Sequence, residues 1–279
     1  MSSRPILDAR DPVRRDDSAR PSFRGSTPWL AFRLRLRHAP LKVAAAVLLL
    51  SIPLCLVCGL LLDVPVARAA LQAPSDLRDV AQVFSDLGLS GYMLLLSGLV
   101  AAVASVVRRR GRLAHRGPLL ALVAERALFV FAAVAASGIV VQIVKHVVGR
   151  ARPRLIDQFG AFYFDHFSIA ANLASFPSGH STSVFALAAA LGMIVPRLRP
   201  VAFGLAVLVG LARMTLAAHY ASDILAGAVF GVAATVGVAS LFATRSIAFT
   251  RARGVLRLKG RGMIWSSLRA QCPCARASG

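Results

Sequence analysis

"LARMTLAAHYASDILAG", residues 211–227, is built mostly from small and apolar side chains, yet it carries Arg213, His219 and Asp223. A charged group at the centre of a bilayer costs about 2.5–3.5 kcal/mol on insertion scales and persists mainly where it functions. The stretch therefore decides the fold by where the membrane edge crosses it. With the turn around 217–223 at an interface, two apolar helices flank it and the charges fall at helix ends.

The rest of the chain agrees with that placement. Its 279 residues are 57% hydrophobic and 16% charged, with a mean hydropathy of +0.66. A soluble domain is nearer 45–50% apolar and about 25% charged. Apolar runs at Leu41–Leu62, Leu89–Val107, Pro118–Val144, Ser178–Val195, Val201–Leu216 and Ile224–Ala243 predict an all-α, polytopic membrane bundle of six transmembrane helices. The fourth run is short, but about 18 residues at 1.5 Å each reach roughly 27 Å, close to the ~30 Å hydrocarbon thickness.

Net charge is +21, and its distribution matters more than its size. Ten Lys/Arg lie in residues 1–42, five in 108–116 and eight in 245–276, while Arg197 and Arg199 stand between two prolines. Basic clusters outside apolar runs mark cytoplasmic loops, which places both termini in the cytoplasm. No recognition motif accompanies the charge, so no nucleic-acid partner is expected; the partners are membrane lipids. The chain divides into a disordered basic arm (1–40), a six-span catalytic membrane domain (41–243) and a basic cytoplasmic tail (244–279). A signal peptide cut near "VARAA" (66–70) would need a shorter basic region and apolar core, so the first run reads as a retained span. Residues 63–87 make a short external segment with room for an interfacial helix. Cys55 and Cys58 read as packing residues, and Cys272 and Cys274 as an incidental pair.

Three polar clusters then share the external face. The first is "KHVVGRARPR", with Lys145 and Arg152; Arg150 and Arg154 beside them read as further loop residues, outside the site. The second is "FPSGHS", with Ser178, Gly179 and His180. The third is Arg213, His219 and Asp223. Three cations suit a tetrahedral oxyanion, and Ser178–Gly179 opens a helix whose N–H groups point at the same anion. His219 and Asp223, four apart, share a helical face, so the carboxylate can hold one imidazole nitrogen as N–H and leave the other to attack. His180 arrives from another helix as a general acid. Such a set is a phosphoryl-transfer site.

These motifs closely resemble the lipid phosphate phosphatase superfamily, the type 2 phosphatidic acid phosphatases, whose pattern is Lys-x6-Arg-Pro, Pro-Ser-Gly-His and Ser-Arg-x5-His-x3-Asp. The resemblance runs from Lys145 to Asp223 and includes the six-span layout. It implies that Lys145, Arg152 and Arg213 bind phosphate with help from Ser178 and Gly179. It further implies that His219 is a nucleophile forming a phosphohistidine, that Asp223 orients it and that His180 is the acid. The family works without metal or other cofactor. Ala212 departs from the pattern, which has Ser there. The expected function is hydrolysis of a lipid phosphate or diphosphate (undecaprenyl diphosphate, phosphatidic acid, phosphatidylglycerol phosphate or lipid A phosphate) at the periplasmic side of a bacterial inner membrane. A lipid phosphotransferase with the same intermediate, a related vanadate-holding haloperoxidase and a non-catalytic anion-binding membrane protein are the alternatives.

Overall fold

The structure is a computed structural model that describes residues 40–111, 116–252 and 255–260. Nine α-helices and one hairpin follow in order among these residues: α1 (Pro40–Cys58), α2 (Val64–Leu71), α3 (Ser75–Asp86), α4 (Ser90–Arg109), α5 (Gly117–Val148), α6 (Ile156–Phe159), α7 (Gly179–Ile194), α8 (Arg199–Thr215), α9 (Ala221–Thr244), β1 (Phe249–Ala252) and β2 (Val255–Leu258). Five helices are long and apolar enough to cross a membrane, and α7, at 16 residues, is the shorter apolar one. Their outer faces carry Leu49, Leu50, Leu60, Leu95 and Ile139, all exposed. So much bare apolar surface is stable only against lipid. The all-α membrane bundle expected from the sequence is therefore the architecture, and the protein crosses the membrane several times.

α7 sits innermost, packed on α5, α8 and α9 and touching α4. Its fit depends on small residues: nine of its residues are buried, four of them alanine and one glycine. The approach to α9 is closest at Gly231, where a Cβ would lie 2.4 Å from the Thr182 carbonyl oxygen and 2.9 Å from the Ala186 nitrogen. Both are backbone atoms and cannot swing away.

Three details differ from the sequence reading. The first span does not end at Leu62: α1 passes through a π-helical turn (Gly59–Asp63) into α2, one apolar helix from Ala44 to Leu71. Residues 63–87 are largely helical, with α3 packed on α8. And part of the stretch read as a tail is folded. The β1–β2 hairpin packs Phe249 against Phe129 with ring centroids 4.7 Å apart. The Ala248 amide donates to the Glu125 carboxylate at 2.7 Å, and Lys259 lies 3.4 Å from it. Glu125 is thus paired by this hairpin at the end of the bundle opposite the polar clusters. All of the arm (1–40) except Pro40, and residues 261–279 with Cys272 and Cys274, lie outside the described residues.

Gly231→Ala should lower the thermal midpoint in detergent, by about 1–3 kcal/mol of overpacking. Gly237→Ala, on the same helix with nothing within 4 Å of its added Cβ, should leave the midpoint unchanged or raise it slightly. Equal behaviour of the two variants would contradict the α7–α9 packing.

Candidate active site

The site forms where α5, α7 and α9 bring their polar ends together. Gly149 ends α5 in the left-handed region (φ +64), where a Cβ would collide with the Asp165 carbonyl oxygen at 1.6 Å. Only glycine lets the chain turn there into the loop carrying Arg150 and Arg152. From α7, Ser178 is the N-cap, its oxygen accepting from the Ser181 amide. Its own amide donates to the Asp223 carbonyl at 3.0 Å, tying the starts of α7 and α9 together. The amides of Gly179 and His180, at the positive end of α7, have no protein acceptor among the described residues. They are free donors for an anion.

Asp223 is fully buried and saturated. Its Oδ1 accepts from Arg150 at 2.6 Å, and its Oδ2 accepts from the Ser175 hydroxyl at 2.6 Å and the Tyr220 amide at 2.9 Å. Arg150, which the sequence reading left out as one more loop cation, is the missed residue. It is buried to 3% exposure, donates to Asp63 at 2.7 Å and to Ser222 at 2.8 Å, and stacks 4.2 Å over the Tyr220 ring. Burial opposes its charge, but Asp223 and Asp63 more than offset that and raise its pKa. Asp63, also fully buried, accepts from the Ser222 amide and hydroxyl as well. The π turn of the first span places it there. Neither residue has a spacing signal, because the partners are 87 and 73 positions apart in sequence.

His219 is buried, with Nδ1 2.8 Å from the Ser175 carbonyl oxygen and 3.8 Å from Asp223 Oδ2. A carbonyl can only accept, so Nδ1 carries the proton and donates. The direct holder of the imidazole is thus Ser175, with Asp223 behind it, which modifies the expected His219–Asp223 pair. Burial pulls the His219 pKa down to about 4, against the opposing pull of Asp223. The ring is neutral near pH 7, and Nε2 holds a lone pair with no protein partner among the described residues.

The expected cations lie near enough to the two histidines to act on them by charge. His219 lies within charge–charge range of Arg152 and Arg213, and His180 within range of His219, Lys145, Arg152 and Arg213. A Cβ on Gly179 would lie 3.5 Å from the Lys145 ammonium, so bare backbone faces that charge. Arg152 is braced by the Ala171 carbonyl at 2.9 Å. Burial and neighbouring Arg154 hold the Arg152 pKa below its ordinary value. Arg213 donates to Ser85 of α3 at 2.8 Å, while its Nε is buried without a partner. An orphaned guanidinium N–H among crowded cations fits an oxyanion, which supplies both the acceptor and the missing negative charge. Ala212 is buried. Ser85 and Gly88, whose added Cβ would meet the His180 ring at 3.0 Å, roof the site from a segment without a motif. Among the described residues no group of three or more His, Cys, Asp or Glu forms a metal-ligand cluster.

Asp63→Ala leaves Arg150 paired with Asp223 but takes the acceptor from one Arg150 N–H and from the Ser222 amide and hydroxyl, and should cost about 1–3 kcal/mol of stability. Asp63→Asn, which keeps the shape and one acceptor, should cost less. Thermal unfolding in detergent measures both; an unchanged midpoint for Asp63→Ala would contradict the buried network.

The PAP2 superfamily model matches residues 126–247, which include all eight expected site residues. A lipid A 1-phosphatase of Rhizobium etli is 33% identical over 172 residues, 62% of this chain and 73% of that protein. Another, of Rhizobium johnstonii, is 31% identical over 190 residues, 68% of this chain and 77% of that protein. Among solved structures, a PAP2-type phosphatidylglycerolphosphate phosphatase of Bacillus subtilis aligns with a TM-score of 0.47 and 20% identity, over 72% of this chain and 94% of that one. With relatives above 30% identity matched over more than two thirds of their length, this multi-pass membrane protein belongs to the PAP2 superfamily.

Proposed function

We propose that the protein is a lipid phosphatase that removes a phosphate ester from a lipid at the periplasmic face of a bacterial inner membrane, with a lipid A-type 1-phosphate as the substrate its relatives suggest. The observation that carries the reading is His219: buried, neutral, tethered through Nδ1, and surrounded by cations with Nε2 unused. The periplasmic assignment is supported by Arg108, Arg109, Arg197 and Arg199 at the opposite end of the bundle.

The chemistry follows from those groups. The phosphate sits among Lys145, Arg152, Arg213 and the Gly179 and His180 amides, which draw charge from its oxygens, while Ser178 helps by capping α7 and holding those amides in place. The Nε2 lone pair of His219 attacks phosphorus, and the bond from phosphorus to the lipid oxygen breaks. His180, which holds a proton on both ring nitrogens once the negative phosphate sits beside it, donates one to that oxygen and becomes neutral, releasing the lipid alcohol and leaving phosphohistidine. The positive charge that develops on His219 is stabilised by the Ser175 carbonyl and the Asp223 carboxylate behind it. Neutral His180 then takes a proton from water, whose oxygen attacks phosphorus as the P–N bond breaks. Phosphate leaves, and both imidazoles return to their starting states. The residues supply nucleophile, acid and charge stabilisation themselves, which favours a metal-independent reaction.

A phosphate-release assay in micelles containing chelator tests this, using lipid A, phosphatidic acid, phosphatidylglycerol phosphate and undecaprenyl diphosphate. Wild-type protein should release phosphate with chelator present, most rapidly from lipid A. His180→Asn should lose about 10²–10⁴ in rate, and His219→Ala should lose turnover while still folding. Turnover retained by His219→Ala would overturn the mechanism.

A further inference from the structure

A cleft of about 720 Å³ opens from the site into the apolar layer between α4 and α5, with Lys145, Gly179 and His180 at its polar end. That volume is within the range of small-molecule sites. Below the polar end its walls are mostly apolar, as a lipid chain requires, with Val134, Gly138 and Ile139 among them. One side chain breaks the pattern. Gln142 lines the same cleft and is exposed to it, three residues before Lys145 and on the same helical face.

From Phe129 to Val144 the α5 sequence is FVFAAVAASGIVVQIV, which holds two polar side chains, Ser137 and Gln142. Ser137 is satisfied by its own helix, donating to the Val134 carbonyl at 2.9 Å. Gln142 makes no hydrogen bond among the described residues. A carboxamide has two donors and two acceptor sites, and lipid tails offer it nothing. Its helical position lies roughly 4.5 Å toward the bilayer centre from that of Lys145. A phosphate held by Lys145 therefore has Gln142 about one helical turn deeper, on the side toward which a lipid chain would run.

We infer that Gln142 is a specificity-determining residue that hydrogen-bonds the polar groups next to the phosphate of the substrate. The site then selects lipids with hydroxyl, ester or amide groups beside the phosphate, such as acylated sugar phosphates and glycerolipid phosphates. It selects against polyprenyl phosphates, whose chains hold only hydrocarbon there. Ser90 and Ser183 add hydroxyls to the same cleft. A site built to bond such groups rejects an analogue without them, because its own polar atoms are left unpaired. This inference rests on the lipid-phosphatase reading and narrows its substrate class.

The test is the ratio of kcat/KM for an acylated lipid phosphate to that for undecaprenyl phosphate, in wild type and in Gln142→Leu. Lipid A and phosphatidic acid serve as two acylated arms. Because each ratio is taken on one preparation, it does not depend on the fraction of protein that is folded. The wild-type preference should fall about tenfold in Gln142→Leu, and Gln142→Asn, which keeps the amide, should retain part of it. A fall with lipid A alone assigns the contact to the sugar and its amides, a fall with phosphatidic acid alone assigns it to glycerol esters, and either supports the inference. An unchanged ratio in both arms overturns it, whatever happens to the absolute rates. Wild-type protein that releases phosphate from no lipid would instead fail the phosphatase reading, and the inference with it.

Discussion

The buried Asp223 carboxylate is the point on which the arrangement depends. It receives Arg150 from the loop after α5, Ser175 from the loop before α7 and the amide of Tyr220 at the start of its own helix. Through Arg150 it is linked to Asp63 on the first span. Four distant pieces of chain therefore meet on three buried charges, Asp63, Arg150 and Asp223. A charge buried in an apolar membrane protein is tolerable only when paired and hydrogen-bonded. The same saturation that makes Asp223 tolerable fixes the chain ends around it, and with them His219.

The position of this network at the membrane rim explains how so polar a centre exists in so apolar a chain. α7 is short enough that its positive end opens into the cluster and not into lipid, and the amides of Gly179 and His180, which have no protein acceptor among the described residues, lie at that end beside Lys145. Small residues on α7 and α9 let the two helices approach until backbone meets backbone. Packing and chemistry are linked there: the contact that seats α7 deeply also delivers Ser178 and His180 to the site. α3, outside the bundle proper, contributes by bracing Arg213 with Ser85.

Much of this was legible in the sequence, for identifiable reasons. Apolar runs bounded by arginines report helices directly, because the bilayer imposes one length and one polarity on each. The three motifs pointed to one end of the bundle because each sits at a helix end, but the shared helical face expected for His219 and Asp223 is not what joins them: His219 lies in the turn before α9 and reaches Asp223 only at 3.8 Å. Arg150 escaped notice because it looks like its neighbours Arg152 and Arg154, and only the three-dimensional location of Asp63 and Asp223 separates them. Asp63 itself read as a span boundary, since a π turn that carries an acid inward leaves no periodic trace. Ser175 was invisible because its main contribution to His219 is a backbone carbonyl, which any residue supplies. The folded hairpin after α9 was hidden by arginines on either side of two buried aromatic and aliphatic positions.

The central claim is that His219, held by Ser175 and backed by Asp223, accepts the phosphoryl group. The most direct measurement is to mix the enzyme with lipid phosphate, quench in alkali within a turnover, and locate the added phosphoryl group by mass spectrometry. The account predicts an acid-labile, alkali-stable adduct on His219 that builds up when His180 is replaced by Asn and an activated leaving group is supplied. Phosphate found on another residue, or turnover with no adduct on His219 at any quench time, would contradict it.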